Sequence, residues 1–307
     1  FGEMKIVCYV PSYNDSDAVR LSVESAGELP CVVSDNASEP EHALHLSRLA
    51  DERDGRVTLV RQPRNLGRLG NWDFCVRHFL QSDAKWLKWL FAGDVLVSNA
   101  RETLERTITA YPAARMIAGA FVLVERGQRT TWRQYVETRL LEPREAMRRA
   151  AEGGNWFGPP IAYCVHREAL ERGFDFGGLA WAGDFCFAVD VASRYPTVHL
   201  AESTGEFHAD RRNFFNQQEN RTEALLEEAV VRLRAARHYA RLNGDTRDGQ
   251  RFVRRIERLV EGRLLVLSAV RCGPFHVPRG VADFVFGTLG RRGWSAVADI
   301  ARTRRAK

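Results

Sequence analysis

The chain has no uninterrupted apolar stretch approaching 18 residues, and its run Leu264–Val270 is of a length that suits a buried helix or strand. A membrane-spanning helix is therefore not expected. Nor is a secretory leader, because KIVCYV near the start reads directly as a strand. The six cysteines (Cys8, Cys31, Cys75, Cys164, Cys186, Cys272) include no CxxC pair. Most lie inside apolar runs, which predicts reduced, buried thiols and a cytoplasmic setting, not a zinc site. Internal repeats and low-complexity segments are absent. At 45% hydrophobic and 27% charged, the composition excludes a disordered tail, a collagen-like fibre and a disulfide miniprotein.

Charge is unevenly placed. From residue 211 onward there are 21 Lys and Arg against 10 Asp and Glu; the preceding residues carry 24 against 29. A mildly acidic body is followed by a strongly basic end. Nucleic-acid binding is not expected, because it would need aromatic side chains interleaved with the basic face.

The first part alternates strands and helices. Met4–Val10 reads as a strand stopped by Pro11, and Asp17–Ala26 as a helix with Ser16 available as its N-cap. Strands are predicted at Cys31–Ser34, Val57–Arg61, Trp86–Phe91 and Met116–Glu125, and helices at Glu41–Asp54, Asn71–Gln81 and Asn99–Tyr111. This alternation predicts an α/β fold with a doubly wound, mainly parallel sheet, whose ligands sit beyond the carboxyl ends of the strands. Residues 155–209 are rich in Gly, Trp and Phe and read as pocket walls and loops. Long helices follow at Glu219–Leu242, Gln250–Val270 and Val281–Arg305, with a boundary near Arg211–Asn216. The division is a catalytic domain over 4–210 and a basic helical region over 211–307.

The strand ends collect the chemistry: Pro11-Ser12-Tyr13-Asn14, then Asp35-Asn36-Ala37-Ser38, then RQPRNLGRLG from Arg61 to Gly70, then Ala92-Gly93-Asp94. Neither GxGxxG nor GxxxxGK[ST] occupies the first turn, which removes the dinucleotide and P-loop signatures. Asp35 is placed to accept hydrogen bonds from a nucleobase or ribose, and Asp94 to share a hard divalent cation with a pyrophosphate. The competing role for each is a local one, an Asx turn or a helix cap. Their arrival at one sheet edge favours function.

These segments resemble family 2 glycosyltransferases, which have the nucleotide-sugar-binding GT-A fold. YVPSYN (9–14) resembles that family's opening, VVSDNAS (32–38) its nucleoside-binding segment and RNLGRLGNW (64–72) its R-x-x-G…N stretch. The run 157–196, from FGPP to SRYP, resembles the acceptor-side segment that ends in a catalytic carboxylate and a helix. Two motifs depart from the family pattern: Asp-x-Asp reads Ala92-Gly93-Asp94, and Glu-Asp reads Gly183-Asp184, so each keeps its final Asp.

The resemblance implies an inverting transfer from a nucleotide diphosphate sugar to an acceptor hydroxyl, with Asp184 as general base. Trp181, Phe185 and Phe187 around it would raise its pKa by desolvation. Its competing role is capping the helix that follows. The resemblance further implies Mg²⁺ or Mn²⁺ held by Asp94 and His208, with Arg211 and Arg212 beside the diphosphate. A donor pocket would draw on Pro11, Tyr13, Asn14, Asp35, Arg64, Asn65, Gly67, Asn71, Gly93 and Asp94. A sugar or acceptor wall would draw on Asn155, Trp156, Gly158, Trp181 and Gly183. Alternatives are a degenerate, non-catalytic glycosyltransferase-like binding domain and a sugar nucleotidyltransferase; the latter expects a Gly-rich phosphate loop where PSYND stands. In the last helix, Phe284, Phe286, Leu289 and Trp294 beside Arg291, Arg292 and Arg302 suit contact with an anionic membrane surface.

Overall fold

The computed structural model describes residues 5–53, 55–209 and 221–272. It opens with β1 (Ile6–Ser12), α1 (Ser16–Ser25), β2 (Cys31–Asp35), α2 (Pro40–Glu52), β3 (Val57–Arg61), α3 (Gly67–Gln81) and β4 (Trp86–Trp89). There follow β5 (Val95–Leu96), α4 (Ala100–Ala110), β6 (Met116–Gly119), β7 (Phe121–Glu125), β8 (Gln128–Trp132), β9 (Arg139–Leu141) and α5 (Pro143–Gly153). The chain then forms β10 (Cys164–His166), α6 (Arg167–Glu171), α7 (Gly183–Ala192), β11 (Thr197–Leu200), β12 (Gly205–His208), α8 (Arg221–Leu242) and α9 (Arg247–Cys272).

An eight-stranded sheet has the order β3-β2-β1-β4-β10-β6-β11-β9, and a four-stranded sheet the order β5-β12-β7-β8. β1, β2, β3 and β4 run parallel, as do β6 and β11, while β10 and β9 are antiparallel to their neighbours. Strands such as β2 are buried along their whole length, as expected where helices cover both faces. Ile6, Cys8, Val10 and Trp86 face one apolar cluster, with Val19, Leu46 and Leu104 of α1, α2 and α4. Val7, Tyr9, Leu87 and Trp89 face the other, with Phe79, Met147, Phe185 and Phe187. The second cluster also takes in Val231, Leu233 and Ala236 of α8 and Phe252 and Ile256 of α9. Arg232, 3% exposed, donates to the carbonyls of Ala151 (2.9 Å) and Glu152 (2.6 Å), closing the last turn of α5. Cys8, Cys31, Cys75, Cys164 and Cys186 are buried free thiols.

Several boundaries differ from the sequence reading, each for a physical reason. β1 runs through Pro11, which pairs with Ser34. The Tyr9 carbonyl faces β4, so the missing Pro11 N–H faces the same side, beyond the last β1–β4 pair, Tyr9↔Trp89; no ladder bond is lost. The N-cap of α1 is Asp15, and the Ser16 hydroxyl instead meets His42 Nδ1 at 3.0 Å. Arg211, Arg212, the expected boundary near 211–216 and the expected helix at 281–305 lie outside the described residues. No helix among the described residues is long and apolar enough to cross a membrane.

The single strand expected at Met116–Glu125 is two, and they join different sheets. The switch is at Gly119, whose φ is +132°. A Cβ there would lie 2.7 Å from the Leu200 carbonyl oxygen and 2.9 Å from its nitrogen. The strain and the close approach together predict that Gly119→Ala destabilises the fold by about 2–5 kcal/mol, read as a lowered denaturant midpoint. An unchanged midpoint would show that the switch does not need glycine.

Candidate active site

The parallel strands β1, β2 and β4 end at one edge, and the first polar cluster lies between β1 and β2. Ser12 pairs with Asp35 in the ladder. Asp35 is fully buried; its Oδ1 accepts from the Ser38 N–H three residues on (3.0 Å), a local loop-closing bond in place of the expected Asx turn, and Arg61 Nε stands 3.6 Å from Oδ2. Asp35 Oδ2 and Ser12 Oγ are buried with no hydrogen-bond partner among the described residues. Such orphaned acceptors are costly unless something fills them, and a base or ribose donor would. Asn14, with φ +52°, donates its N–H to Ser38 Oγ (2.8 Å) and accepts from the Glu39 N–H (2.8 Å). Tyr13 is 49% exposed beside it.

The 64–71 segment is clamped to β2. Asn36 Nδ2 donates to Asn65 Oδ1 (2.9 Å) and to the Gly67 carbonyl (3.2 Å), and its Oδ1 accepts from the Leu66 N–H (2.8 Å). Asn71 exchanges hydrogen bonds with the hydroxyl and carbonyl of Ser34; it is 3% exposed and fastens α3 to the sheet. Arg64 is exposed.

The second cluster surrounds Asp94. Gly93, at φ +94°, turns the chain after β4 and donates to the Ala18 carbonyl (3.2 Å) and to Ser22 Oγ (2.9 Å). Burial pushes the Asp94 carboxyl up to about 8, with the His208 backbone N–H and the Lys88 charge pulling it back. Lys88, fully buried in β4, donates to the Ile161 carbonyl and to Thr204 Oγ1 (3.3 Å). Burial lowers its own pKa to about 8. His208 Nε2 is buried without a hydrogen-bond partner among the described residues and lies 3.5 Å from Glu206 Oε2. Glu206 is gripped by Arg129. No three His, Cys, Asp or Glu side chains converge as a metal site among the described residues. The orphaned imidazole nitrogen of His208 and the desolvated carboxyl of Asp94 are each of a donor type that a divalent cation accepts, and the two residues meet through the His208 backbone N–H.

The third cluster contains Asp184, in the first turn of α7. It lines a small hollow with Trp72, Trp89, Phe91, Pro160, Tyr163, Phe176 and Phe187. Asp184 is not the N-cap, which is Ala182; its Oδ1 accepts from the Phe185 N–H at 2.8 Å. Desolvation raises its carboxyl to about 6, against the pull of the Phe185 N–H and of Arg68. Arg68, in the first turn of α3, lies over the rings of Trp72 (5.4 Å) and Trp181 (5.8 Å). The expected start of α3 at Asn71 would have left Arg68 in a loop; its start at Gly67 sets Arg68 on a rigid element. Asp190, further along α7, pairs with Arg194 (2.9 Å) and Arg234 (3.4 Å).

The expected sugar wall divides. Trp181 is 8% exposed and stands beside Arg68, close to Asp184. Trp156 does not offer a stacking face: it is 2% exposed, lies on Phe157 at 4.0 Å and donates its indole N–H to the Ala146 carbonyl (3.2 Å). The small, apolar face of α5 draws that ring inward. The Gly158 carbonyl accepts from Tyr163 Oη (2.7 Å) and Asn155 Nδ2 (3.1 Å). A Cβ at Gly158 would meet the Gly119 carbonyl oxygen at 2.9 Å, and one at Gly183 would meet Leu69 Cδ2 at 2.9 Å, so both glycines serve close packing. Arg68, Tyr163 and Ser12 were not singled out from sequence. Arg68 stands inside RNLGRLGNW, where its helical position was the missing signal.

No family model matches the chain. No curated protein matches it by sequence. Among solved structures, S. aureus TarS 1–349 resembles it with a TM-score of 0.57 and 14% identity over 95% of this chain and 92% of that one. The same fragment in complex with UDP-GlcNAc gives 0.56 and 12%, over 95% and 92%. The mannosyltransferase PcManGT from Pyrobaculum calidifontis, in complex with GDP-Man and Mn²⁺, gives 0.52 and 15%, over 99% and 86%. At such identities the likeness is one of architecture: the chain has the GT-A fold, with a large, mostly parallel central sheet.

Proposed function

We propose that the chain is an inverting glycosyltransferase that moves a sugar from a nucleoside diphosphate sugar to an acceptor hydroxyl. The observation that carries this reading is Asp184, a carboxylate lining a small aromatic hollow, its pKa raised to about 6 by desolvation. A base of that strength is ionised at neutral pH and is still able to take a proton. The fold likeness to structures holding UDP-GlcNAc and GDP-Man and the orphaned Asp35 and Ser12 oxygens support a nucleotide-sugar donor.

In the proposed reaction, Asp184 accepts the proton of the acceptor hydroxyl as its oxygen bonds to the anomeric carbon. The bond from that carbon to the diphosphate breaks on the opposite face, and the nucleoside diphosphate leaves with the electron pair. Asp35 and Ser12 hold the nucleoside, and the 64–67 segment clamped by Asn36 lies alongside. Mg²⁺ or Mn²⁺ on Asp94 and His208, when bound, supplies positive charge to the diphosphate; Arg211 and Arg212 are proposed to add to it.

Asp184→Asn should leave donor binding intact and lower turnover by roughly two to four orders of magnitude. In the unaltered enzyme kcat/KM should fall about tenfold per pH unit below about pH 6, because protonation removes the base. Near-normal turnover of the Asn variant would remove Asp184 from the chemistry. Asp94→Ala should weaken nucleoside diphosphate binding, measured by thermal shift or calorimetry, chiefly when Mg²⁺ or Mn²⁺ is present. Equal binding with and without chelator in the unaltered protein would exclude the metal. For the basic end, the full chain should cosediment with anionic vesicles at low salt and lose this on deletion of 281–307; a full chain that stays in the supernatant would remove the membrane contact.

A further inference from the structure

The segment that carries Asp184 is held from outside the sheet, by α8. Glu227 presents its carboxylate to three successive backbone N–H groups. Oε1 accepts from Ala180 (3.0 Å), and Oε2 from Trp181 (2.5 Å) and Ala182 (3.0 Å). Three donors converging on one point repel one another unless an anion fills the concavity they make. Ala182 is the N-cap residue of α7, and Asp184 follows two residues later, so the conformation that the carboxylate imposes on 180–182 sets how the helix enters. α8 is itself fixed on both sides. Arg232 closes α5, and Arg234 reaches Asp175 (2.9 Å) and Asp190 (3.4 Å), so Glu227 acts from a rigid base.

We propose that Glu227 is a positioning residue for the transfer: by gathering the N–H groups of Ala180, Trp181 and Ala182 it holds the start of α7 so that Asp184 lines the hollow. It also sets, with Arg68, the charge balance around that carboxylate. The inference rests on the reading of Asp184 as the base. Among the described residues, the charged and titratable groups whose fields couple to Asp184 are Arg68 from α3, Tyr163 ahead of β10, Cys186 on α7 itself and Glu227 from α8. Arg68 favours the ionised carboxylate; Glu227, of like charge, favours the protonated form.

The test compares Glu227→Gln, Glu227→Ala and Asp184→Asn in the full chain. Amide hydrogen exchange reads the loop directly: the amides of 180–182 should exchange at least about tenfold faster in both Glu227 variants, with the interiors of β1 and β4 unchanged. Turnover is read as nucleoside diphosphate release from a panel of UDP-, GDP-, TDP- and ADP-sugars. There kcat should fall about 10- to 100-fold in Glu227→Gln and further in Glu227→Ala, while the donor KM stays within about threefold. The acid limb of kcat/KM should move to lower pH in Glu227→Gln, because a neighbouring negative charge has gone; a purely structural role would lower Tm without moving that limb. Unchanged exchange at 180–182 overturns the proposal whatever turnover does. So does an inactive Asp184→Asn alongside a Glu227→Gln with the unaltered kcat and acid limb. Full turnover by Asp184→Asn is a different failure, that of the base itself. Should Glu227→Ala not fold, the near-isosteric Gln variant carries both readouts.

Discussion

Taking a carboxylate out of water costs several kcal/mol unless donors or cations replace the lost hydration, and Glu227, Asp35, Asp94 and Asp184 are among the carboxylates that this fold draws in. Each meets that demand differently. Glu227 is met by three N–H groups. Asp35 has one N–H and the Arg61 charge, with one oxygen left over. Asp94 has the His208 N–H and Lys88. Asp184 has one N–H from its own helix and the influence of Arg68. The better a carboxylate is satisfied from within, the more it belongs to the framework; under the proposed function, the shortfalls at Asp35, Asp94 and Asp184 are where outside groups would complete the structure.

Lys88 shows the same constraint with the sign reversed. An ammonium in the middle of a buried strand is expensive, and here it is tied to the Ile161 carbonyl and the Thr204 hydroxyl. Thr204 directly precedes β12, the strand whose His208 N–H reaches Asp94. One buried cation thereby ties the central strand of the large sheet to the approach to the small one, near the place where the chain between β6 and β7 crosses from one sheet to the other.

The alternation of β1 to β4 with their helices was legible because each strand is a short β-branched or aromatic run and each helix has an apolar stripe. Asp35, Asp94 and Asp184 could be singled out as candidates because Asp35 ends a strand, Asp94 closes the turn between β4 and β5, and Asp184 stands in the first turn of a helix. The division of 116–125 was not, since both halves have strand composition and only the contact of Gly119 with Leu200 separates them. Trp156 was misplaced because sequence alone does not tell a ring turned inward from one turned to a pocket. Glu227 had no local signal: it lies 43 residues beyond Asp184 in a charge-rich helix, and its role exists only once α8 has packed on α5 and α7.

That packing bears on the order in which the chain can mature during synthesis. β1 to β4 with α1, α2 and α4 can bury much of one face of the sheet among themselves, since that apolar cluster is built largely from residues 6–117. The opposite cluster holds Phe185 and Phe187 together with Val231, Ala236, Phe252 and Ile256, so it stays open until α8 and α9 have been made. Until then α5 lacks the Arg232 closure and the 180–182 loop lacks its anion. A nascent chain paused between α7 and α8 would therefore expose aromatic surface, and such surface is what draws chaperones and promotes association between unfinished chains.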